Sequence, residues 1–151
     1  MSMSQYPPQL AELVDDLKSI TDRHERAEML IEIADRFPEV KVPPEIATKP
    51  YPEEHRVPAC ESEAYVWAQP QDDGTLRFYF DVLNPQGLSA MAMSVVLAET
   101  LNGQPTEVIT SVPSELVFDL FGREVSMGKG AGLMGILSLA QAYAKRHANG
   151  G

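Results

Sequence analysis

Apolar residues recur at helical spacing in the first quarter of the chain. Leu10, Leu13, Val14 and Leu17 follow the i, i+3, i+4, i+7 rule behind Pro7 and Pro8, and predict an amphipathic helix. Thr21-Asp22 interrupts it. Asp22 is placed to cap a second helix, with Glu25 three residues on as in a capping box, and Ala27, Leu30, Ile31 and Ala34 predict its buried stripe. Phe37 ends that helix against Pro38. Prolines at 38, 43, 44, 50, 52 and 58 then exclude regular helix or central strand and predict a long, functional loop. Beyond it the period changes to two. Ala64 to Gln69 alternates, Asp73-Gly74 signals a turn, and Thr75 to Leu83 alternates again. Leu76, Phe78, Phe80 and Val82 point one way and Arg77, Tyr79 and Asp81 the other, which predicts a sheet with one covered face. Leu88 to Leu101 is apolar nearly all round and predicts a central buried helix stopped by Asn102-Gly103. Short helices follow over Pro105 to Thr110 and Ser114 to Phe121. The last helix is expected from about Leu133 to Arg146, with Gly128-Lys129-Gly130-Ala131-Gly132 as a flexible lead-in. The order is helix, helix, hairpin, helices. It predicts an α+β fold, a small antiparallel β-sheet with helices packed mainly on one face.

Composition narrows the partners. At 151 residues and 44% hydrophobic, one domain over 1–151 with a real core is expected, its ends at 1–6 and 148–151 frayed. No apolar run is long enough to cross a membrane, and Met1 to Gln5 lacks the basic-then-apolar pattern of an export signal. A formal net charge of −10 argues against nucleic acid and anionic membrane surfaces, and favours a protein partner with a basic patch. A single cysteine excludes an internal disulfide and suits a reducing, cytoplasmic compartment.

That cysteine carries the candidate chemistry. Cys60 stands where the proline-rich loop meets the first strand, between Pro58 and Glu61, with Ser62 and Glu63 beside it. A lone cysteine is commonly a small buried hydrophobe, but the polar setting in a scaffolded loop points to a reactive thiol. Metal binding is not expected: the histidines at 24, 55 and 147 are scattered, and one thiolate holds neither zinc nor an iron–sulfur cluster. A thiol hydrolase using His55 as base is a further alternative, lacking any evident oxyanion hole. The glycine run at 128–132 lacks the spacing and the hydroxyl of a phosphate loop. Glu61 and Glu63 disfavour the thiolate, and Arg56 or Lys129 would offset them. Trp67 is expected in the core.

Val57-Pro58-Ala59-Cys60-Glu61-Ser62, followed by Val66-Trp67, resembles the cysteine motif of the SufE family, Val-x-Gly-Cys-x-Ser and then Val-Trp. The likeness extends from Phe37-Pro38-Glu39 to the last helix. Ala59 stands where that family usually has glycine, Glu61 where it often has glutamine, and Lys129 where it usually has arginine. The resemblance implies the fold shared with IscU-like scaffolds. It also implies a sulfur acceptor that takes persulfide sulfur onto Cys60, stimulates a SufS-type cysteine desulfurase and passes sulfur to an iron–sulfur assembly scaffold. No bound cofactor is expected, the pyridoxal phosphate belonging to the desulfurase. Arg56, Glu61, Ser62 and Lys129 are the candidates for partner binding or thiolate support. A non-catalytic desulfurase-binding or regulatory module on the same fold is the main alternative.

Overall fold

The period-two alternation does build a hairpin. In the computed structural model, which describes residues 6–58, 60, 62–84, 86–123 and 125–150, β1 (Ala64–Pro70) pairs antiparallel with β2 (Leu76–Val82), Val66 opposite Phe80 and Trp67 opposite Tyr79. Its two faces are buried differently. Ala64, Val66, Leu76, Phe78, Phe80 and Val82 enter the main core with the helices. Tyr65 and Trp67 enter a smaller cluster with Val42, covered by Ile46, Ala47 and Tyr51 of the proline-rich segment. That segment is not a free loop. Val42 N–H donates to the Phe80 carbonyl (2.9 Å) and Phe80 N–H to that of Val40 (3.0 Å), so its start lies along the β2 edge. Prolines are confined to stretches where no ladder donor is lost.

The helices are α1 (Pro8–Ser19), α2 (Arg23–Ala34), α3 (Leu88–Leu101), α4 (Thr106–Thr110), α5 (Leu116–Phe121) and α6 (Met127–Ala148). α3 is the central one, with Met93, Val95, Val96, Leu97 and Leu101 at 1% exposure or less. It packs on β2, α2 and α6, which explains why it needs no polar face. Among the described residues, six helices over a two-stranded antiparallel sheet make the fold α+β, as expected.

Two expectations change. The buried stripe of α2 is rotated: Ile33 and Ala34 are buried and Leu30 half-buried, while Ala27 is exposed and Ile31 is 45% exposed. Asp22 does cap this helix, accepting from His24 N–H at 3.1 Å. The last helix starts at Met127, not near Leu133, so the glycine run is helical and not a flexible lead-in. Ser126 Oγ caps it by accepting from Lys129 N–H at 3.2 Å. Of the ends expected to fray, Tyr6 donates its hydroxyl to Asp119 (2.5 Å) and Ala148 lies within α6; residues 1–5 and 151 fall outside the described residues. Among the described residues no helix is long and apolar enough to cross a membrane.

Candidate functional site

The chain brings Cys60 to α6 through a clamped loop. Val57 N–H donates to the Ala64 carbonyl at 2.8 Å, and Arg56 bridges antiparallel to Tyr65, so residues 56 and 57 run back along the start of β1. On the other side Leu83 N–H donates to the Glu63 carbonyl at 3.2 Å. Glu63 takes a positive φ of 45°, which turns the chain into the strand. Val57 and Cys60 lie on a face of α6 made by glycines. Gly128, Gly132 and Gly135 are spaced i, i+4, i+7 and so share one face. A Cβ at Gly132 would stand 3.1 Å from Cys60 Cα and 3.2 Å from its Sγ. A Cβ at Gly135 would stand 2.8 Å from Val57 Cγ1. Each interior glycine costs a helix roughly 0.5–1 kcal/mol relative to alanine. The return is close approach of the backbone bearing the thiol.

The opposite wall comes from the turn into α3. Asn84 Oδ1 accepts from Gln86 N–H at 2.8 Å, and Gly87 follows. A Cβ there would lie 2.8 Å from Val82 Cγ1 and 3.1 Å from Ser62 Oγ, so glycine is again what lets two segments meet. The result is a cavity of about 50 Å³ bounded by Cys60, Ser62, Gly87, Ser89, Lys129 and Gly132. A water needs roughly 10–15 Å³ of such space, so the cavity has room for a small group beside the sulfur. Cys60 is only partly exposed and is the one free thiol. This is a partly buried nucleophile facing a small pocket lined by both polar and apolar groups, with room for a small group on sulfur.

Of the predicted site residues, Ser62 and Lys129 line the cavity with Cys60. Arg56 does not. Its guanidinium lies 3.8 Å from the Glu53 carboxylate. Glu61 and Ala59 lie outside the described residues. Gly87, Ser89 and Gly132 are site residues that sequence reasoning misses. The glycine spacing on α6 is the signal available for one of them; the others reach the cavity only through tertiary contact.

His55 is neither a solvated loop residue nor a partner for Cys60. Its Nδ1 donates to the Val66 carbonyl (3.0 Å) and lies 2.8 Å from the Tyr143 hydroxyl, and its ring stacks on Trp67 at 5.1 Å. This cluster lines a separate cleft under the proline-rich segment. Trp67 is 3% exposed, a core residue as expected. Among the described residues no histidine lines the Cys60 cavity. Also among them, no group of three or more His, Cys, Asp or Glu side chains is placed to hold a metal ion.

A solved structure, the solution structure of a hypothetical protein from Thermus thermophilus, is similar over 95% of this chain and 98% of that one, at 26% identity and a TM-score of 0.70. No curated protein matches the chain. The family description "SufE: Fe-S metabolism associated domain" matches residues 11–144, which takes in both clamps, the cysteine and nearly all of α6. With that span matched and its cysteine motif in a sheltered loop, the chain belongs to the SufE family, the Fe–S metabolism associated domain.

Proposed function

We propose that this protein is the sulfur acceptor of a cysteine desulfurase, with Cys60 as the carrier. The family gives it a role in Fe–S metabolism and implies a desulfurase as partner. The observation that carries the finer reading is the cavity at Cys60, with space for one more small atom beside a partly buried thiol. In the transfer, the Cys60 thiolate attacks the outer sulfur of a persulfide on the donor. The donor's S–S bond breaks, its thiolate leaves and takes up the proton given by Cys60, and a Cys60 persulfide forms. Sulfane sulfur changes hands with no net oxidation or reduction. Ser62 and Lys129 offer a hydroxyl and a cation at the same cavity. A negative terminal sulfur is favoured by such neighbours, and burial keeps oxidants away from it.

The protein needs no bound cofactor in this scheme. Pyridoxal phosphate works in the desulfurase, which is of the SufS type and is stimulated when its persulfide is emptied. The sulfur then passes to an iron–sulfur assembly scaffold in the reducing cytoplasm. The test is intact mass after mixing the chain with a SufS-type desulfurase and cysteine, without reductant. A gain of about 32 Da, one sulfur, in the wild type and none in Cys60→Ser is expected. No gain with a desulfurase that loads another acceptor would refute the reading.

A further inference from the structure

The central helix α3 begins differently from α2 and α6. At α2 the Asp22 carboxylate accepts from His24 N–H, and at α6 Ser126 Oγ accepts from the N–H of Lys129, the third residue of that helix. α3 begins behind Gly87, which has no side chain to cap with, and its first turn carries no acid. Glycine is required at that place by the contacts with Val82 and Ser62 that a Cβ would make. The third residue of α3 is Ala90. Met91 N–H is the first to find a main-chain acceptor, the Gly87 carbonyl at 3.0 Å; among the described residues the Ala90 N–H has none. Ala90 is 3% exposed, and a buried amide without an acceptor is rare and costly. The Ser89 hydroxyl is also unbonded among the described residues. Further along α3, by contrast, Ser94 and Thr100 donate to the carbonyls of Ala90 and Val96, at 2.8 and 2.7 Å. First-turn N–H groups point out through the N-terminal end of a helix. Gly87, Ser89 and Ala90, which form that end, are all on the wall of the Cys60 cavity. Two donors without acceptors therefore meet one small space beside a thiol.

We propose that the open end of α3 is the seat of the outer sulfur once Cys60 is loaded: the Ala90 N–H and the Ser89 hydroxyl donate to that sulfur and hold it as an anion. This rests on the acceptor reading above. The occupant's chemistry follows from the donors. An amide and a hydroxyl aimed at one point bind an acceptor, and the bond strengthens when the acceptor is charged. A persulfide presents such an acceptor one bond beyond Sγ, within a cavity of about 50 Å³. Lys129, on the wall contributed by α6, adds a cation, and the exposed Glu63, beyond Ser62, is the described acid nearest in the chain to Cys60. The empty cap at Gly87 thus has a use: a side chain there that satisfied the Ala90 amide would remove the donor that the sulfur needs.

The test loads Cys60 of the full chain in two ways, with inorganic tetrasulfide and with a SufS-type desulfurase plus cysteine. In the first, the Cys60 thiolate attacks a sulfane sulfur, an S–S bond of the tetrasulfide breaks and trisulfide leaves. Intact mass establishes that one sulfur is gained. The rate at which iodoacetamide alkylates the outer sulfur is then followed against pH, and the midpoint of that profile reads how readily the sulfur becomes an anion. Replacing Ala90 by lactic acid, its ester counterpart, removes the N–H alone, a group that holds nothing else in the fold. Ser89→Ala removes the hydroxyl, and Ser138→Ala, on the exposed side of α6, is the control. Circular dichroism melts establish that each variant is folded. The midpoint is expected to rise by about one pH unit or more in the ester variant, by less in Ser89→Ala, and to stay in the control. Midpoints equal to wild type in both α3 variants overturn the seat, the amide then meeting water only. An equal rise in the control overturns it too. A rise confined to the α3 variants after tetrasulfide loading, with no sulfur gained from the desulfurase, overturns the acceptor reading and leaves the seat standing. A wild type that takes sulfur from neither source overturns both.

Discussion

Three glycines of α6 give a substitution series in which the sign of the effect changes within one turn and a half. Alanine at each gains roughly 0.5–1 kcal/mol of helix propensity. At Gly130 a new Cβ meets only Val125 Cγ1 at 3.7 Å, an ordinary contact, so Gly130→Ala is expected to stabilise by about that amount. At Gly135 the Cβ would stand 2.8 Å from Val57 Cγ1, inside a residue that is fully buried, and overpacking of this kind costs about 1–3 kcal/mol. Gly135→Ala is therefore expected to destabilise by about 1–2 kcal/mol net. Gly132 lies between. Its Cβ would meet Cys60 Cα at 3.1 Å, Sγ at 3.2 Å and Cβ at 3.4 Å, three contacts each requiring a few tenths of an ångström of movement. The loop can yield there, so the propensity gain and the crowding roughly cancel in stability. The displacement falls on the thiol. Urea denaturation reads the stability of all three. Alkylation by iodoacetamide reads the thiol, without ambiguity because the chain has a single cysteine. Gly132→Ala should melt close to wild type and be alkylated several-fold faster. A Gly132→Ala protein stabilised like Gly130→Ala, with unchanged alkylation, would refute the packing of Cys60 on α6.

Two further predictions concern the far side of the sheet. The Tyr51 hydroxyl donates to Asp81 Oδ2 at 2.6 Å, and Asp81 is 3% exposed, so Tyr51→Phe is expected to cost about 1.5–3 kcal/mol in denaturant titration. Tyr143 has its hydroxyl pKa raised from 10.0 to about 12 by burial and by Glu54. The unfolded chain therefore loses that proton first, and stability falls as pH climbs from about 10 to 12; Tyr143→Phe should flatten that part of the pH–stability curve, and an unchanged slope would contradict the burial of this hydroxyl.

Much of the fold is legible in the sequence because burial on a strand or helix imposes a period. The β1–β2 hairpin and the buried α3 follow directly from Leu76, Phe78 and Phe80, and from Met93, Val95 and Val96. α2 shows where periodicity stops. Ala27, Leu30, Ile31 and Ala34 satisfy helical spacing as well as Leu30, Ile33 and Ala34 do, and only tertiary packing decides which stripe turns inward. The start of α6 is hidden for a related reason. Glycine at 128, 130 and 132 opposes helix locally, but at Gly132 it is Cys60 that fills the space a side chain would take, and packing of this kind outweighs the local cost. Cys60 can be singled out from its polar, loop-bound context. Its neighbours Gly87, Ser89 and Gly132 cannot be assembled around it, since they come from segments 27 to 72 residues away.

The clamps on either side of Cys60 make the loop a short tether. Val57 is fixed to Ala64 by a backbone hydrogen bond, and only three residue steps separate it from Cys60. A fully extended chain advances about 3.3–3.6 Å per residue, so the backbone of Cys60 can travel no more than roughly 10 Å from its anchor while the clamp holds. A thiol on so short a leash does not swing between distant stations. Whatever gives or receives a group at Cys60 must bring its own reacting atom close to this protein's surface, and successive partners must occupy overlapping ground and take turns.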